Sequence, residues 1–166
     1  MASRRPQFSQ GTYHIQNTKK YQGSSNGGTS TTAIYRSSWE RRLMAWLDHN
    51  ESVISWGSEL ISIPYVNKLD GTAHRYYIDF NFKVKDINTG KIKTFWVEVK
   101  PADQTVPPKQ PKRLTESAKR NYAMKSLTYV QNISKWERAK AEARKHNAIF
   151  MLLTEKNCQF LNATKD

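Results

Sequence analysis

Two alternating runs of sequence decide the fold of this chain, YYIDFNFKV at residues 76–84 and KTFWVEVK at residues 93–100. Apolar and polar side chains alternate along both runs, which predicts two β-strands. The intervening sequence DINTGK, residues 86–91, has the Asn-x-Gly pattern of a hairpin turn. A loop with an even number of residues places Asp79 of the first strand opposite Glu98 of the second. An odd number would place them on opposite faces of the sheet.

Asp79 lies on the polar face of its strand, and Glu98 and Lys100 share a face of theirs. Two carboxylates that face each other across a sheet destabilise it by roughly 0.2–1 kcal/mol unless a cation or solvent lies between them. Mg²⁺ is typically held by one or two carboxylates together with phosphate and water. The pair therefore suggests a magnesium-dependent nuclease site. Because acid-x-Lys tripeptides arise readily by chance in a lysine-rich chain, a solvated polar sheet face is the competing interpretation.

The length and net charge of the chain predict its number of domains and the class of its partner. At 166 residues the chain suits a single folded domain, and its net charge of +13 indicates a polyanionic partner, with nucleic acid first and an acidic membrane surface second. No apolar run approaches the ~18–20 residues of a membrane-spanning helix, and no signal-peptide segment is visible. We therefore expect a cytoplasmic protein that does not enter the membrane. A single cysteine, Cys158, excludes an intrachain disulfide and a thiolate zinc cluster within one chain.

Composition divides the chain into three segments. Residues 1–32 are poor in aliphatic side chains and include the linker-like sequence GSSNGGTSTT at residues 23–32, which predicts a flexible basic arm. This arm either folds onto a partner or onto nucleic acid, or it stays an unstructured tail. Residues 33–160 form the predicted folded domain, and residues 161–166 a C-terminal tail.

The first predicted helix follows Ser37, because Ser37-x-x-Glu40 matches a capping box and an apolar stripe continues to Asp48. Glu40 has two interpretations. As a cap it needs only the backbone of Ser37, and as a catalytic acid it would extend the metal site from the adjoining helix. The sequence by itself favours the cap.

The remaining predicted elements are, in chain order, strands at 53–56 and 60–66, the two hairpin strands, a long basic loop at 101–114, helices at 116–130 and 135–146, and a strand at 148–153. A second capping box, Ser134-x-x-Glu137, opens the later helix, and the exposed faces of both helices are basic. The last strand, AIFMLL, is continuously apolar, which predicts burial on both faces. The order is therefore helix, three antiparallel strands, helices, strand.

This order of elements, with Glu40, Asp79 and Glu98-Val99-Lys100 at corresponding places, resembles the PD-(D/E)XK nuclease core of restriction endonucleases and TnsA-type transposon endonucleases. Over about residues 33–160, an ordered series of motifs is similar to the head-completion nucleases of tailed phages. These motifs are YRSSWE at 35–40, IPY at 63–65, DG at 70–71, HRY at 74–76, DF at 79–80, EVKP at 98–101 and TEK at 154–156. One position departs from the pattern, because Ile78 stands where the motif has its proline. That proline shapes a strand and binds no metal.

The resemblance implies an α/β fold of the restriction-endonuclease type, with an αβββαβ core and a mixed central sheet. It implies a metal-dependent DNA endonuclease that acts in phage head completion after genome packaging, with Mg²⁺ as cofactor and Mn²⁺ as its substitute. Asp79, Glu98 and the backbone carbonyl of Val99 would hold the metal, and Lys100 would orient or activate the attacking water. Glu40 would be a further catalytic residue and a further candidate ligand.

The resemblance also implies DNA as the main partner, phage portal or neck proteins as others, and a location in the host-cell cytoplasm during assembly or in the virion. A monomer and a homodimer both remain open. Contacts to the DNA backbone are expected from six basic residues, Arg36, Lys109, Lys112, Arg113, Lys119 and Arg120. Two other functions stay open: a structural head-completion protein that binds DNA or the portal without cutting, and an RNA-processing enzyme.

Overall fold

A computed structural model of the chain describes residues 10–25 and 28–162. Residues 1–9, 26–27 and 163–166 lie outside this description, and with them part of the predicted arm and most of the predicted tail. The described residues form, in chain order, β1 (Gly11–His14), β2 (Ser24–Ser25), β3 (Gly28–Thr29), β4 (Thr32–Tyr35), α1 (Ser38–His49), β5 (Val53–Ser58), β6 (Ser62–Val66), β7 (Ala73–Tyr77), β8 (Phe80–Lys85), β9 (Ile92–Val99), a 3₁₀ helix (Ala102–Gln104), α2 (Glu116–Lys145), β10 (Ala148–Leu153) and a second 3₁₀ helix (Gln159–Asn162).

Four strands form the central sheet, in the order β10–β9–β8–β5. β8 runs antiparallel to both β5 and β9, and β10 joins β9 in parallel. A parallel pair requires a long crossover connection, which α2 provides. The predicted α/β class with a mixed central sheet is therefore confirmed. The predicted order of three consecutive antiparallel strands is not, because β6 and β7 leave the central sheet and pair with each other.

The predicted strand at 76–84 is in fact two strands. Its first part belongs to β7 and its second part to β8. Between them the backbone N–H of Ile78 donates a hydrogen bond to the carbonyl of Ile61 at 2.9 Å, outside the central sheet. The alternation of buried residues continues through the break, because Tyr76 and Ile78 enter one hydrophobic core and Phe80 enters another. An alternating sequence pattern predicts which side chains are buried, but it does not predict which hydrophobic core they enter.

These two cores cover β9 on both faces. Val97 lies in one core with Leu43 of α1, and Trp96 lies in the other with Ala139 of α2. Glu98, the next residue along β9, is consequently surrounded by protein and only 4% exposed.

The start of α1 agrees with the sequence prediction, whereas α2 does not. Ser37 caps α1 as predicted, its hydroxyl accepting a hydrogen bond from the N–H of Glu40 at 3.1 Å. α2 is a single helix of 30 residues that begins after Thr115, so the prediction of two helices is wrong. Ser134 lies inside it and donates its hydroxyl to the carbonyl of Val130 at 3.0 Å, an internal bond that lets serine stay within a helix. In the described part of the chain, no helix combines the length and apolarity needed to cross a membrane.

Part of the segment that composition assigns to the arm contacts the end of α1, through Tyr13, Gln16 and Asn17. Asp48 at the end of α1 is fully buried. Its carboxylate accepts hydrogen bonds from the hydroxyl of Tyr13 at 3.0 Å and from the backbone N–H groups of Gln16 at 2.8 Å and Asn17 at 2.9 Å. These contacts cross the predicted boundary between arm and domain.

Candidate active site

The predicted acidic pair lies where β8 begins and β9 ends. The two strands pair Phe80 with Val97, so the register continued by one residue places Asp79 opposite Glu98. The register predicted from the hairpin is confirmed. Asp79 directly precedes β8, and its Oδ2 accepts a hydrogen bond from the backbone N–H of Val99 at 2.9 Å.

Glu98 is held at both of its carboxylate oxygens. Its Oε1 lies 3.0 Å from Nζ of Lys100, and its Oε2 accepts a hydrogen bond from the hydroxyl of Tyr76. The backbone N–H of Lys100 donates to the carbonyl of Leu153 in β10 at 3.0 Å, which ties the lysine to the adjacent strand. Glu98 and Lys100 therefore point the same way, as the alternation along β9 predicts.

The buried charges of this group alter the pKa values of their neighbours. Burial, followed by the negative charge of Glu98, raises the pKa of Asp79 well above its usual value, against the opposing effects of Lys100 and the Val99 N–H. Burial by itself lowers the pKa of Lys100, but the carboxylates of Glu98 and Asp79 outweigh it and the pKa is raised. Burial and Glu98 also raise the pKa of Tyr76, so its hydroxyl remains a donor. Asp79 is thus difficult to ionise unless a second cation, in addition to Lys100, lies beside it.

Glu40 fulfils the capping role that the sequence favours. Its Oε2 accepts a hydrogen bond from the backbone N–H of Arg36 at 2.7 Å, and its Oε1 accepts one from the hydroxyl of Ser37 at 3.2 Å. The backbone N–H that Glu40 takes belongs to Arg36, one residue before the cap, whereas a standard capping box uses the N–H of the cap residue itself, here Ser37. The cap and a catalytic role are compatible, because Glu40 also lines a cleft together with Asp79.

This cleft has a volume of ≈ 430 Å³. Its lining includes Asp79 and Lys100 from the predicted site, and Arg36, Glu40 and Glu59 from the segments around it. Glu98 does not reach its wall. The cleft brings carboxylates and cations into one solvent-accessible space, which suits the binding of an anionic substrate through a bridging cation.

Comparison with known proteins identifies the family of the chain. Residues 50–155 match the family model described as TnsA-like endonuclease N terminal. The chain belongs to the TnsA-like endonuclease family. This TnsA-like protein is also 37% identical over 139 residues to the head completion nuclease of Enterobacteria phage T4, an alignment that covers 84% of the chain and 86% of that relative. The resemblance inferred from the motifs is confirmed.

The family match covers only part of the predicted site of the TnsA-like protein. The matched segment contains Asp79, Glu98 and Lys100 and begins after Arg36 and Glu40. The proposed roles of Arg36 and Glu40 therefore rest on their place in the cleft.

The donor set of the TnsA-like protein suits a hard divalent cation. Asp79 and Glu98 offer carboxylates and Val99 offers a backbone carbonyl, which are the oxygen ligands that Mg²⁺ takes. Within residues 10–25 and 28–162, no three His, Cys, Asp or Glu side chains are grouped so that they could hold a metal ion. Phosphate and water would therefore complete the coordination, as is usual for Mg²⁺. A cation beside the carboxylates would also favour the ionised form of Asp79, whose pKa is raised without one.

Glu59 is a cleft residue that the sequence did not single out. It follows β5, has a left-handed backbone with φ 54°, and forms an ion pair with the guanidinium of Arg36. Its backbone N–H donates a hydrogen bond to the carbonyl of Asp79 at 3.1 Å. Left-handed residues are most often Gly, Asn or Asp, so no local signal marks a glutamate for this position.

Of the six basic residues predicted to contact DNA, Arg36 alone lines the cleft. The other five lie in the connection after the 3₁₀ helix at Ala102–Gln104 or in the first turns of α2: Lys109, Lys112, Arg113, Lys119 and Arg120. Lys119 pairs with Glu116 at 2.9 Å. The structure thus places Arg36 in the same cleft as Asp79, and DNA contacts by all six residues stay a prediction.

Proposed function

We propose that this TnsA-like protein is a metal-dependent DNA endonuclease that acts in phage head completion after genome packaging. One observation carries the proposal: Asp79 and Lys100 line an open cleft, and the buried carboxylate of Glu98 lies behind its wall, 3.0 Å from the ammonium group of Lys100. The matched family is one of endonucleases, and the similar phage T4 protein is named a head completion nuclease. Both support the reaction and its setting.

In this proposal Asp79, Glu98 and the carbonyl of Val99 would hold Mg²⁺, Mn²⁺ would replace it, and Glu40 is a further candidate ligand. A metal held there would supply a Lewis acid for the phosphate and would increase the acidity of a water molecule. The N–H of Val99 fixes one oxygen of Asp79 and leaves the other available to the cleft.

Lys100 acts as a cation in this site. Its raised pKa keeps it protonated at neutral pH, and Glu98 holds its Nζ at 3.0 Å. An ammonium group donates hydrogen bonds and accepts none. Lys100 therefore orients the attacking water and stabilises the charge that develops on the phosphate in the transition state.

Arg36 binds the phosphate that enters the cleft, because a guanidinium matches the geometry of phosphate oxygens. In the protein without DNA, Glu59 is the partner of Arg36. The side chains of Arg36 and Glu59 are 52% and 40% exposed, and ion pairs this exposed contribute about 0.2–1 kcal/mol. A phosphate can replace Glu59 at little cost.

The name of the phage relative supports a proposed setting for this protein. We place the protein in the host-cell cytoplasm during assembly or on the virion, with DNA as its substrate and portal or neck proteins as candidate partners. Its net charge of +13 suits a nucleic-acid substrate, and the five basic residues outside the cleft would contact the backbone.

Cleavage of supercoiled and linear DNA tests the proposal. We expect nicked or shortened products with Mg²⁺ or Mn²⁺ and none with EDTA, because the acidic pair requires a cation to act. Glu98→Ala should be inactive with either metal. The products, separated on a gel, show whether the protein trims ends or cuts internally. DNA that is bound but intact with every metal and substrate form would overturn the nuclease proposal.

That outcome would favour a second function, a structural head-completion protein that binds DNA or the portal without cutting. The charge of +13 supports DNA binding with or without cleavage. RNA processing fits the same charge, and competition between RNA and DNA for cleavage separates the two substrates.

A further inference from the structure

Tyr76 and Glu98 meet in the interior, although they come from different sheets. Tyr76 lies in β7 and Glu98 in β9, and they are 5% and 4% exposed. The hydroxyl of Tyr76 donates a hydrogen bond to Oε2 of Glu98. We propose that Tyr76 is a positioning residue of the nuclease site, which fixes the Glu98 carboxylate for Lys100 and the metal. This inference rests on the proposed function.

The hydroxyl of Tyr76 restricts rotation of the Glu98 carboxylate. Its carboxylate is bound on one oxygen by Tyr76 and on the other by Lys100, whose Nζ lies 3.0 Å from Oε1. Rotation of the carboxylate would break both contacts at once. Loss of the phenol hydroxyl would free this rotation and leave Oε2 as a buried acceptor without its donor. Lys100 would then lose the fixed acceptor that directs its ammonium group.

The ring of Tyr76 is itself held firmly. Tyr76 pairs with Ile63 across the β6–β7 hairpin and belongs to the core that includes Ala139 of α2. The ammonium group of Lys135, also on α2, lies 5.8 Å from the centre of the ring. The hairpin and α2 thus determine where the phenol hydroxyl points. The β6–β7 hairpin, which lies outside the central sheet, thereby contributes to the site.

Groups that orient metal ligands from a second layer typically change metal affinity or activity by about 10–100-fold when they are removed. A residue that only packs would lower stability without this effect. Tyr76→Phe separates the two roles, because phenylalanine keeps the ring and removes only the hydroxyl.

Tyr65 provides the matched control. It is 4% exposed, belongs to the same core as Tyr76, and lies on the other strand of the same hairpin. Its hydroxyl accepts a hydrogen bond from Gln131 at 3.5 Å. Tyr65→Phe therefore removes the same group from the same hairpin without affecting Glu98.

The experiment compares wild type, Tyr76→Phe and Tyr65→Phe as full-length proteins. Calorimetry measures Mn²⁺ binding without DNA, a gel assay measures cleavage against metal concentration, and anisotropy in EDTA measures DNA affinity. We expect Tyr76→Phe to raise the Kd for Mn²⁺ or to lower the cleavage rate by about 10–100-fold. Its DNA affinity in EDTA should match that of the wild type, and Tyr65→Phe should behave as wild type in all three.

Thermal unfolding of the three proteins ensures that they are compared while folded. If Tyr76→Phe matches Tyr65→Phe in Mn²⁺ binding and cleavage, the positioning role is overturned even if its Tm is lower. If the wild type itself neither binds Mn²⁺ nor cuts DNA, the proposed nuclease function fails and the positioning role fails with it. The two failures are therefore distinguishable from one set of measurements.

Discussion

Arg36 and Glu59 form an ion pair in the wall of the cleft that Asp79 and Lys100 also line. The backbone N–H group of each partner also donates a hydrogen bond to another residue that lines the cleft. The N–H of Arg36 donates to Glu40, and the N–H of Glu59 donates to the carbonyl of Asp79. Glu59 therefore pairs with the same guanidinium group to which an incoming phosphate would bind.

Replacing Glu59 by glutamine should increase the affinity for DNA without metal by about 2–5-fold. The change releases Arg36 from an exposed ion pair of about 0.2–1 kcal/mol, whose upper part corresponds to this gain, and removes one negative charge from the cleft. Fluorescence anisotropy of a labelled duplex, in EDTA and at fixed salt, measures the effect.

Glu51→Gln is the control for this change in charge, because Glu51 is exposed and lies beyond the end of α1 that is remote from the cleft. The effect of Glu59→Gln should also disappear in an Arg36→Met background. An equal gain from Glu51→Gln, or an undiminished gain without Arg36, would contradict the prediction.

Lys100→Ala should impair chemistry more than binding. In the proposed mechanism Lys100 donates to the reacting groups from a fixed position, and removal of one such donor typically lowers the rate by about 100-fold or more. The protein has 27 Lys and Arg residues, so losing one should change DNA affinity little. Single-turnover cleavage and anisotropy separate the two quantities.

Lys85→Ala is the matched control. Lys85 is exposed and lies at the last residue of β8, whereas Asp79 directly precedes the first. It should retain the cleavage rate of the wild type. A loss of DNA affinity in Lys100→Ala as large as its loss of rate would refute this role for Lys100.

Asp79 should make the stability of the metal-free protein depend on pH. In the folded protein its pKa lies well above the ordinary 3.8, so the folded state binds this proton more tightly than the unfolded chain does. Ionised Asp79 therefore destabilises the fold, and stability falls as pH rises from the ordinary pKa towards the raised one. The Asp79→Asn variant lacks this titration. Its free energy of unfolding, relative to that of the wild type, should therefore increase as pH rises from the ordinary pKa to the raised pKa of Asp79, and should stay constant at higher pH.

Urea unfolding in EDTA, at several values between about pH 4 and pH 8, measures this difference. Asp86→Asn, in the turn between β8 and β9, is the control, and the same pH trend should not appear in it. A difference between wild type and Asp79→Asn that stays constant with pH would argue against a raised pKa for Asp79.

Mn²⁺ should raise the Tm of the wild type and not that of Asp79→Asn. A ligand that binds only the folded state stabilises it by about 2.7 kcal/mol at a concentration of 100 times its Kd. Scanning calorimetry with and without EDTA measures the shift. Equal shifts in the two proteins would show that the ion binds elsewhere.

Asp48→Asn should destabilise the protein by about 2 kcal/mol, because the buried carboxylate accepts three hydrogen bonds that an amide cannot all accept. Urea unfolding measures the loss, and limited proteolysis shows whether residues 10–25 detach from α1. Unchanged stability would mean that these contacts contribute little to holding the segment.

Sequence alone determined the local geometry of the site. Alternating residues and the length of the turn set the register between β8 and β9, so the pairing of Asp79 with Glu98 could be predicted. The capping box placed Glu40 at the start of α1 in the same way. Both features depend on residues that are close in sequence or joined by one short turn.

Only the tertiary structure decided which groups these residues meet. Tyr76 and Glu98 are 22 positions apart, and Arg36 and Glu59 are 23 apart, on elements that no single turn connects. An alternating pattern predicts that a side chain is buried, but either of two cores can bury it, as the division of the 76–84 run between β7 and β8 shows. The choice depends on where the hairpin, α1 and α2 pack, and that packing is the sum of many distant contacts that a local pattern does not contain.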